Sequence, residues 1–107
     1  MQIIEKKYVN WEKTGFKLQL LRNDNINLRR YVCYTMRYLR GECGDNCDEC
    51  VYKMDRSISR AELAEVFNVS ESVVYNWERG KTPIAIDDLL FYSQIAKVTI
   101  EEIVVFD

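Results

Sequence analysis

The strongest constraint on the fold of this chain is a pair of short helical patterns joined by a turn within residues 58–82. Ser59 is placed to cap the first pattern, and Glu62 stands at the third position after it, as a capping box requires. Ser70 is placed to cap the second pattern, which Gly80 ends. These signals predict two successive helices, over residues 60–67 and residues 71–79.

Apolar residues give each of these two helices one buried side. On the first helix the inward positions are Leu63, Ala64 and Phe67, and the small Ala64 lets the second helix cross closely. Val74 and Trp77 face inward from the second helix. The outward positions of the second helix form one polar stripe, of a width that a DNA major groove admits: Ser72, Tyr75, Asn76 and Arg79.

The remainder of the chain predicts further helices and no strand, since it holds a single proline, Pro83, and 4 glycines. The expected elements are an extended arm over residues 1–13, a helix over 15–25 capped by Thr14, a helix over 28–40 capped by Asn27, a helix over 86–96, and a last short helix capped by Thr99. The predicted fold class is therefore all-α, in a single domain.

Two of these helices precede the pair of helices that the turn joins within residues 58–82. The apolar side of the first is expected to consist of Phe16, Leu18, Leu20 and Leu21. The core face of the second is expected to consist of Leu28, Val32, Met36 and Leu39. A separate sector of the second helix holds tyrosines that we expect to pack under the arm: Tyr31, Tyr34 and Tyr38.

The sequence of residues 59–83, SRAELAEVFNVSESVVYNWERGKTP, resembles the phage-repressor-like helix-turn-helix family, often called the XRE family. Residues 86–96 and 99–103 are similar to the last two helices of that family, and residues 14–22 to its first. The resemblance implies a compact lambda-repressor-like bundle of roughly five to six helices that binds double-stranded DNA.

The resemblance also implies roles for individual residues. The positions that usually meet base edges are Glu71, Ser72 and Tyr75, and Asn76 stands where the family contacts a base or a phosphate. Arg79 completes this stripe, and the expected phosphate contacts are Arg60, Lys81 and Thr82. Glu78 matches a structural position that pairs with an arginine of the first helix, here Arg22 or Arg40.

The chain departs from the family pattern between its first and second helices, where residues 28–55 form an insertion. Residues 36–40 fit the pattern of the first helix nearly as well as residues 18–22 do. We prefer the earlier segment, because Thr14 and Gly15 precede it as in many relatives.

All 4 cysteines fall within this insertion, as Cys33 and a C-x3-C-x2-C group: Cys43, Cys47 and Cys50. Four thiolates can complete a tetrahedral zinc site, and zinc binding is the interpretation that we favour. An iron–sulfur cluster, a reversible thiol–disulfide switch and reduced thiols without a ligand stay open. In a further hypothesis, metal or oxidation at this loop changes the affinity of the protein for DNA.

Charge is unevenly distributed along the chain. Residues 1–40 hold 9 basic and 3 acidic residues, whereas residues 41–107 hold 6 basic and 14 acidic ones, and the total is −2. A basic first third can present a positive face to DNA, or simply be a solvated helix surface.

Several classes of protein are excluded or disfavoured. Without histidine, Ser-His-Asp and Cys-His catalysis are impossible, and no phosphate loop or paired carboxylates suggest an enzyme. No apolar run approaches the roughly 20 residues of a membrane span, and no secretory signal is visible, so we expect a cytoplasmic protein. The apolar residues of the last two helices favour a homodimer. The alternative function is a protein-interaction module, such as an antitoxin that binds a partner protein.

Overall fold

In the computed structural model, which describes residues 2–38, 41 and 57–107, the chain is helical, as predicted. The helices are α1 (Trp11–Asp24), α2 (Ile26–Cys33), α3 (Arg60–Phe67), α4 (Glu71–Glu78), α5 (Ile86–Ala96) and α6 (Ile100–Ile103). A π-helical segment, Tyr34–Tyr38, directly continues α2. Within the described ranges, β pairing is limited to an isolated antiparallel bridge between Val9 and Phe106.

The caps predicted for α3, α4 and α6 are confirmed. Ser59 and Thr99 each take part in a complete capping box, and the Ser70 hydroxyl accepts from the backbone N–H of Val73. Asn68 ends α3 in the left-handed conformation, with φ of 56°. Local signals fix these helix ends, because each cap satisfies backbone N–H groups that the helix itself leaves open.

The predicted start of α1 was wrong, and so was the cap of α2. Asn10 caps α1 by accepting from the N–H of Lys13 at 3.0 Å, so the arm ends there and not at residue 13. Thr14 is only 1% exposed, and its hydroxyl accepts from the N–H of Val105 at 3.0 Å. Asn25 caps α2 through the N–H of Leu28. A long-range contact therefore uses the hydroxyl that the local pattern assigned to a cap.

The buried side of α1 also differs from the prediction. Leu18 is 1% exposed, but Phe16 and Leu20 are 57% and 39% exposed. Beside Leu18, the buried residues of α1 are small or polar, namely Thr14, Gly15 and Arg22, and Leu21 is partly buried against the core. This composition follows from what α1 contacts, since it packs mainly on α4 and contacts α2 and α6 as well.

The inserted helix joins the core as expected at the residues that the structure describes. Leu28 and Val32 are fully buried, and Met36 packs against the core from one side. Leu39 lies outside the described residues. Tyr31 does not lie under the arm, because its ring packs edge-on against Phe91 of α5 with centroids 5.8 Å apart.

The C-terminal tail is hydrogen-bonded to Asn10, the residue that caps α1. Asn10 donates its backbone N–H to the carbonyl of Val105 at 2.7 Å, and its side-chain amide to a carboxylate oxygen of Asp107 at 2.7 Å. Residues 2–8 of the arm are exposed. Among the helices of the described ranges, none has the length and apolar character that crossing a membrane requires.

Candidate functional site

The outward face of α4 is the polar stripe that the sequence predicted. Val74, Trp77 and Glu78 are buried and hold the helix against the core. Ser72 and Arg79 are exposed, and Tyr75 and Asn76 are half-buried at the edge of the same face. The spacing of α4 therefore separates a packing side from a side that a partner can reach.

Tyr75 is the centre of a cluster of positive charge, which we call the Tyr75 cluster. The guanidinium carbons of Arg60 and Arg79 lie 5.2 and 5.4 Å from its ring centroid, and the Lys81 ammonium lies 5.9 Å away. Arg79 also donates to the Tyr75 hydroxyl at 3.1 Å. Three cations within cation–π distance of one ring form a local positive surface that attracts anions such as phosphate.

Beside this cluster lies a shallow cavity of about 310 Å³, lined by Arg60, Glu71, Ser72 and Tyr75. The hydroxyls of Ser70 and Ser72 are 3.0 Å apart, so one donates to the other. Glu71 lies in the first turn of α4, where the partial positive charge of the helix end favours a carboxylate. The cavity thus combines hydroxyl, carboxylate and cationic groups, which suit hydrogen bonding to a polar ligand.

The turn after α4 positions the other predicted residues. The carbonyl of Asn76 accepts from the N–H groups of Lys81 and Thr82, at 3.0 and 3.5 Å. Gly80 adopts φ of 70°, and a Cβ there would lie 2.7 Å from the Cα of Glu12. Glycine is therefore required by both conformation and space, and the turn holds Lys81 and Thr82 exposed beside α4.

Behind the outward face, Glu78 joins two arginines in a buried ion-pair network. Its side chain is fully buried and accepts from Arg22 Nε at 2.7 Å, Arg22 Nη2 at 3.0 Å and Arg60 Nε at 2.8 Å. Arg22 also donates to the carbonyl of Ile58 at 2.9 Å. Of the two arginines that the sequence offered as partners, the structure shows Arg22 of α1 paired with Glu78, which favours the earlier segment as the first helix. Arg40 lies outside the described residues.

Arg60 has a second role that the sequence did not predict. Its Nε is committed to Glu78, while its side chain remains 31% exposed and packs over Tyr75. No residue in the described part of the chain accepts from its Nη atoms. The buried carboxylate thus fixes an arginine whose terminal nitrogens remain available on the outer face.

Gly15 allows α1 to press against the end of α4. A Cβ at this position would lie 2.6 Å from the Glu78 carbonyl oxygen and would also overlap the carbonyl of Trp77. Tyr92 of α5 lies deeper, fully buried, and burial together with the charge of Glu78 raises the pKa of its phenol. These contacts hold α4 from behind.

Of the four predicted metal ligands, Cys33 alone lies among the residues that the structure describes. Cys33 is 2% exposed on α2, and Cys43, Cys47 and Cys50 lie outside the described residues. No group of three or more metal-binding side chains occurs within residues 2–38 and 57–107. Zinc therefore stays a prediction.

The sequence matches the helix-turn-helix family model over residues 53–103, a range that includes α3 to α6. Searches of curated proteins and of solved structures found no significant match. The matched range contains α4, the Tyr75 cluster and the two capping boxes, at Ser59 and Thr99. Over residues 53–103 the chain therefore resembles helix-turn-helix proteins of the XRE type, a family of DNA-binding regulators.

Proposed function

We propose that this protein is a sequence-specific transcriptional regulator that inserts α4 into the major groove of DNA. The observation that carries the proposal is the Tyr75 cluster, which places three cations around one ring on the outward face of α4. An exposed helix of this width with a positive surface suits the major groove, where base edges lie between two rows of phosphates.

The proposal assigns different roles to the edge and the centre of this surface. Ser72, Tyr75 and Asn76 point to base edges, and Glu71 accepts a hydrogen bond from a cytosine amine. Arg79 lies beside Tyr75 and can contact either a base edge or a phosphate. Lys81, Thr82 and the Nη atoms of Arg60 contact phosphates, which sets the orientation of the protein on the duplex.

The test is selection of bound duplexes from a random library, followed by affinity measurements for the selected duplex and a scrambled one. Tyr75→Ala reduces the ratio of the two affinities, whereas Lys81→Gln weakens both equally and lowers the salt slope by about one unit. Lys17→Gln, an exposed change on α1, is the matched control for Lys81→Gln. Equal weakening on both duplexes by Tyr75→Ala would contradict base reading by α4. Failure to enrich any sequence, with a stoichiometric protein partner recovered instead, would favour the interaction-module alternative.

The proposal includes a homodimer that reads two half-sites. Ile86 and Leu90 lie one turn apart on α5 and are 61% and 45% exposed, which makes them a candidate dimer contact. Sedimentation equilibrium should show a dimer for the wild type and a monomer for Leu90→Glu. A wild-type monomer at concentrations that saturate DNA would contradict this part. Such a regulator acts in the cytoplasm, in contact with the chromosome.

The cysteines carry a separate part of the proposal, in which zinc bound by Cys43, Cys47 and Cys50 modulates DNA affinity. Elemental analysis of protein purified without oxygen or chelator should give about one zinc per chain. The burial of Cys33 makes Cys33→Ala the informative variant, since it loses the metal only if this thiol is a ligand. Iron together with visible absorbance would indicate an iron–sulfur cluster instead of zinc. If no metal is found, the proposed metal site is contradicted.

A further inference from the structure

A second groove lies between α2 and α5 and shares no residue with the Tyr75 cluster. Its volume is about 580 Å³, within the range of small-molecule sites. Its walls include Arg30, Tyr31, Tyr34, Phe91, Gln94 and Lys97. Nothing in the helix-turn-helix unit requires such a groove, because α4 packs on α1 and α3.

The walls of this groove combine aromatic rings with positive charge. Tyr31 and Tyr34 are 36% and 51% exposed, and the Phe91 ring is half-buried behind Tyr31. Arg30 and Lys97 are exposed, and no carboxylate is among the described residues that line the groove. Rings that remain accessible next to cations complement a ligand that has both an apolar flat face and a negative charge.

We propose that this groove binds a compact aromatic carboxylate. The ligand ring lies against Tyr31, Tyr34 and Phe91, and its carboxylate pairs with Arg30 and Lys97. Tyr34 stands at the junction between α2 and the π-helical segment Tyr34–Tyr38, so its side chain borders the groove where α2 ends.

The groove is also connected to α4 by a continuous series of ring contacts. Phe91 packs against Phe67 with centroids 4.9 Å apart, and Phe67 packs against Trp77 of α4 with centroids 5.8 Å apart. A ligand that moves Phe91 therefore changes the surroundings of Trp77. An effect of the ligand on DNA affinity depends also on the proposed function, whereas binding of the ligand to the groove does not depend on it.

The test is an NMR titration of the full chain with indole-3-acetate, in the absence of DNA. Backbone amide shifts should concentrate at Arg30, Tyr31, Tyr34, Phe91 and Lys97. Neutral indole-3-acetamide and non-aromatic acetate should each bind at least about fivefold more weakly, since each lacks one half of the recognition. Equal affinity for the acetamide, or shifts spread over the surface, would overturn the proposal.

Variants at the groove separate a specific site from general attraction to a basic protein. Arg30→Gln combined with Lys97→Gln should weaken indole-3-acetate about fivefold, whereas Lys13→Gln combined with Lys17→Gln should change it little. All four side chains are exposed, so both variants should fold. Unchanged affinity in the groove variant would overturn the proposal.

The two tryptophans report the connection to α4. The indole N–H resonance of Trp77 should shift on saturation of the groove, and that of Trp11, which begins α1, should not. A site that fills without moving the Trp77 resonance would overturn the connection, while leaving the binding result standing.

Discussion

Replacing Glu78 by glutamine tests whether the buried ion-pair network holds α4 in place. In Glu78→Gln the volume is nearly unchanged, but the charge that compensates Arg22 and Arg60 is lost. Three charge-assisted hydrogen bonds converge on this carboxylate, at 2.7, 3.0 and 2.8 Å. The glutamine amide would also direct donors toward guanidinium donors, leaving Arg22, 8% exposed, without a counter-charge. Uncompensated burial of a charge costs about 3–5 kcal/mol.

The assay is urea unfolding followed by circular dichroism, with Glu5→Gln in the exposed arm as the matched control. We expect the free energy of unfolding to fall by about 3 kcal/mol in Glu78→Gln, with the slope against urea unchanged. The control should remain within about 0.5 kcal/mol of the wild type. A loss below about 0.5 kcal/mol in Glu78→Gln would show that the network contributes nothing to stability beyond packing.

Further predictions concern three glycines and one buried phenol, all measured by the same unfolding assay. Gly15→Ala should cost about 2 kcal/mol, because its Cβ would meet the carbonyls at the end of α4; a neutral effect would mean that α1 and α4 are further apart. Gly80→Ala should cost more than Gly41→Ala, since both have positive φ but only Gly80 has a backbone neighbour, at 2.7 Å; equal losses would contradict this. Tyr92→Phe should leave stability unchanged or raise it, because its buried hydroxyl has no hydrogen-bond partner among the described residues; a loss above about 1 kcal/mol would reveal one.

The part of the fold that sequence predicts best is the part governed by local signals. Ser59, Ser70 and Thr99 each cap the helix that follows, and the spacing of Val74 and Trp77 separates the two sides of α4. These features depend on neighbours within one or two helical turns. They were therefore visible without knowledge of the tertiary structure.

The errors arose where distant residues compete for the same groups. Asn10 and Thr14 are both good caps, and the contact of Thr14 with Val105, far along the chain, decides between them. Phe16 and Leu20 have apolar side chains, yet α1 turns its small and polar side to α4 because Gly15 and Arg22 fit there. Hydrophobic pattern alone cannot predict a helix that packs through a glycine and an ion pair.

The sequence predicted which residues form the candidate site but not how their side chains lie relative to one another. Family resemblance pointed to Arg60, Tyr75 and Lys81 separately, and only the fold brings these side chains around one ring. The attachment of Arg60 to Glu78 was missed, although Glu78 itself was recognised as a partner of an arginine. A signal was available, since Arg60 begins α3 and Glu78 ends α4, and both helices meet at a tight turn.

The most direct test of the central claim is an NMR map of the protein surface that contacts the selected duplex. If α4 enters the major groove, the amide resonances of residues 70–82 should shift or broaden most, together with that of Arg60 at the start of α3. Residues at the exposed side of α1, such as Phe16 and Leu20, should be unaffected. A map centred on α1 or on the arm, with residues 70–82 unchanged, would mean that α4 does not contact the DNA.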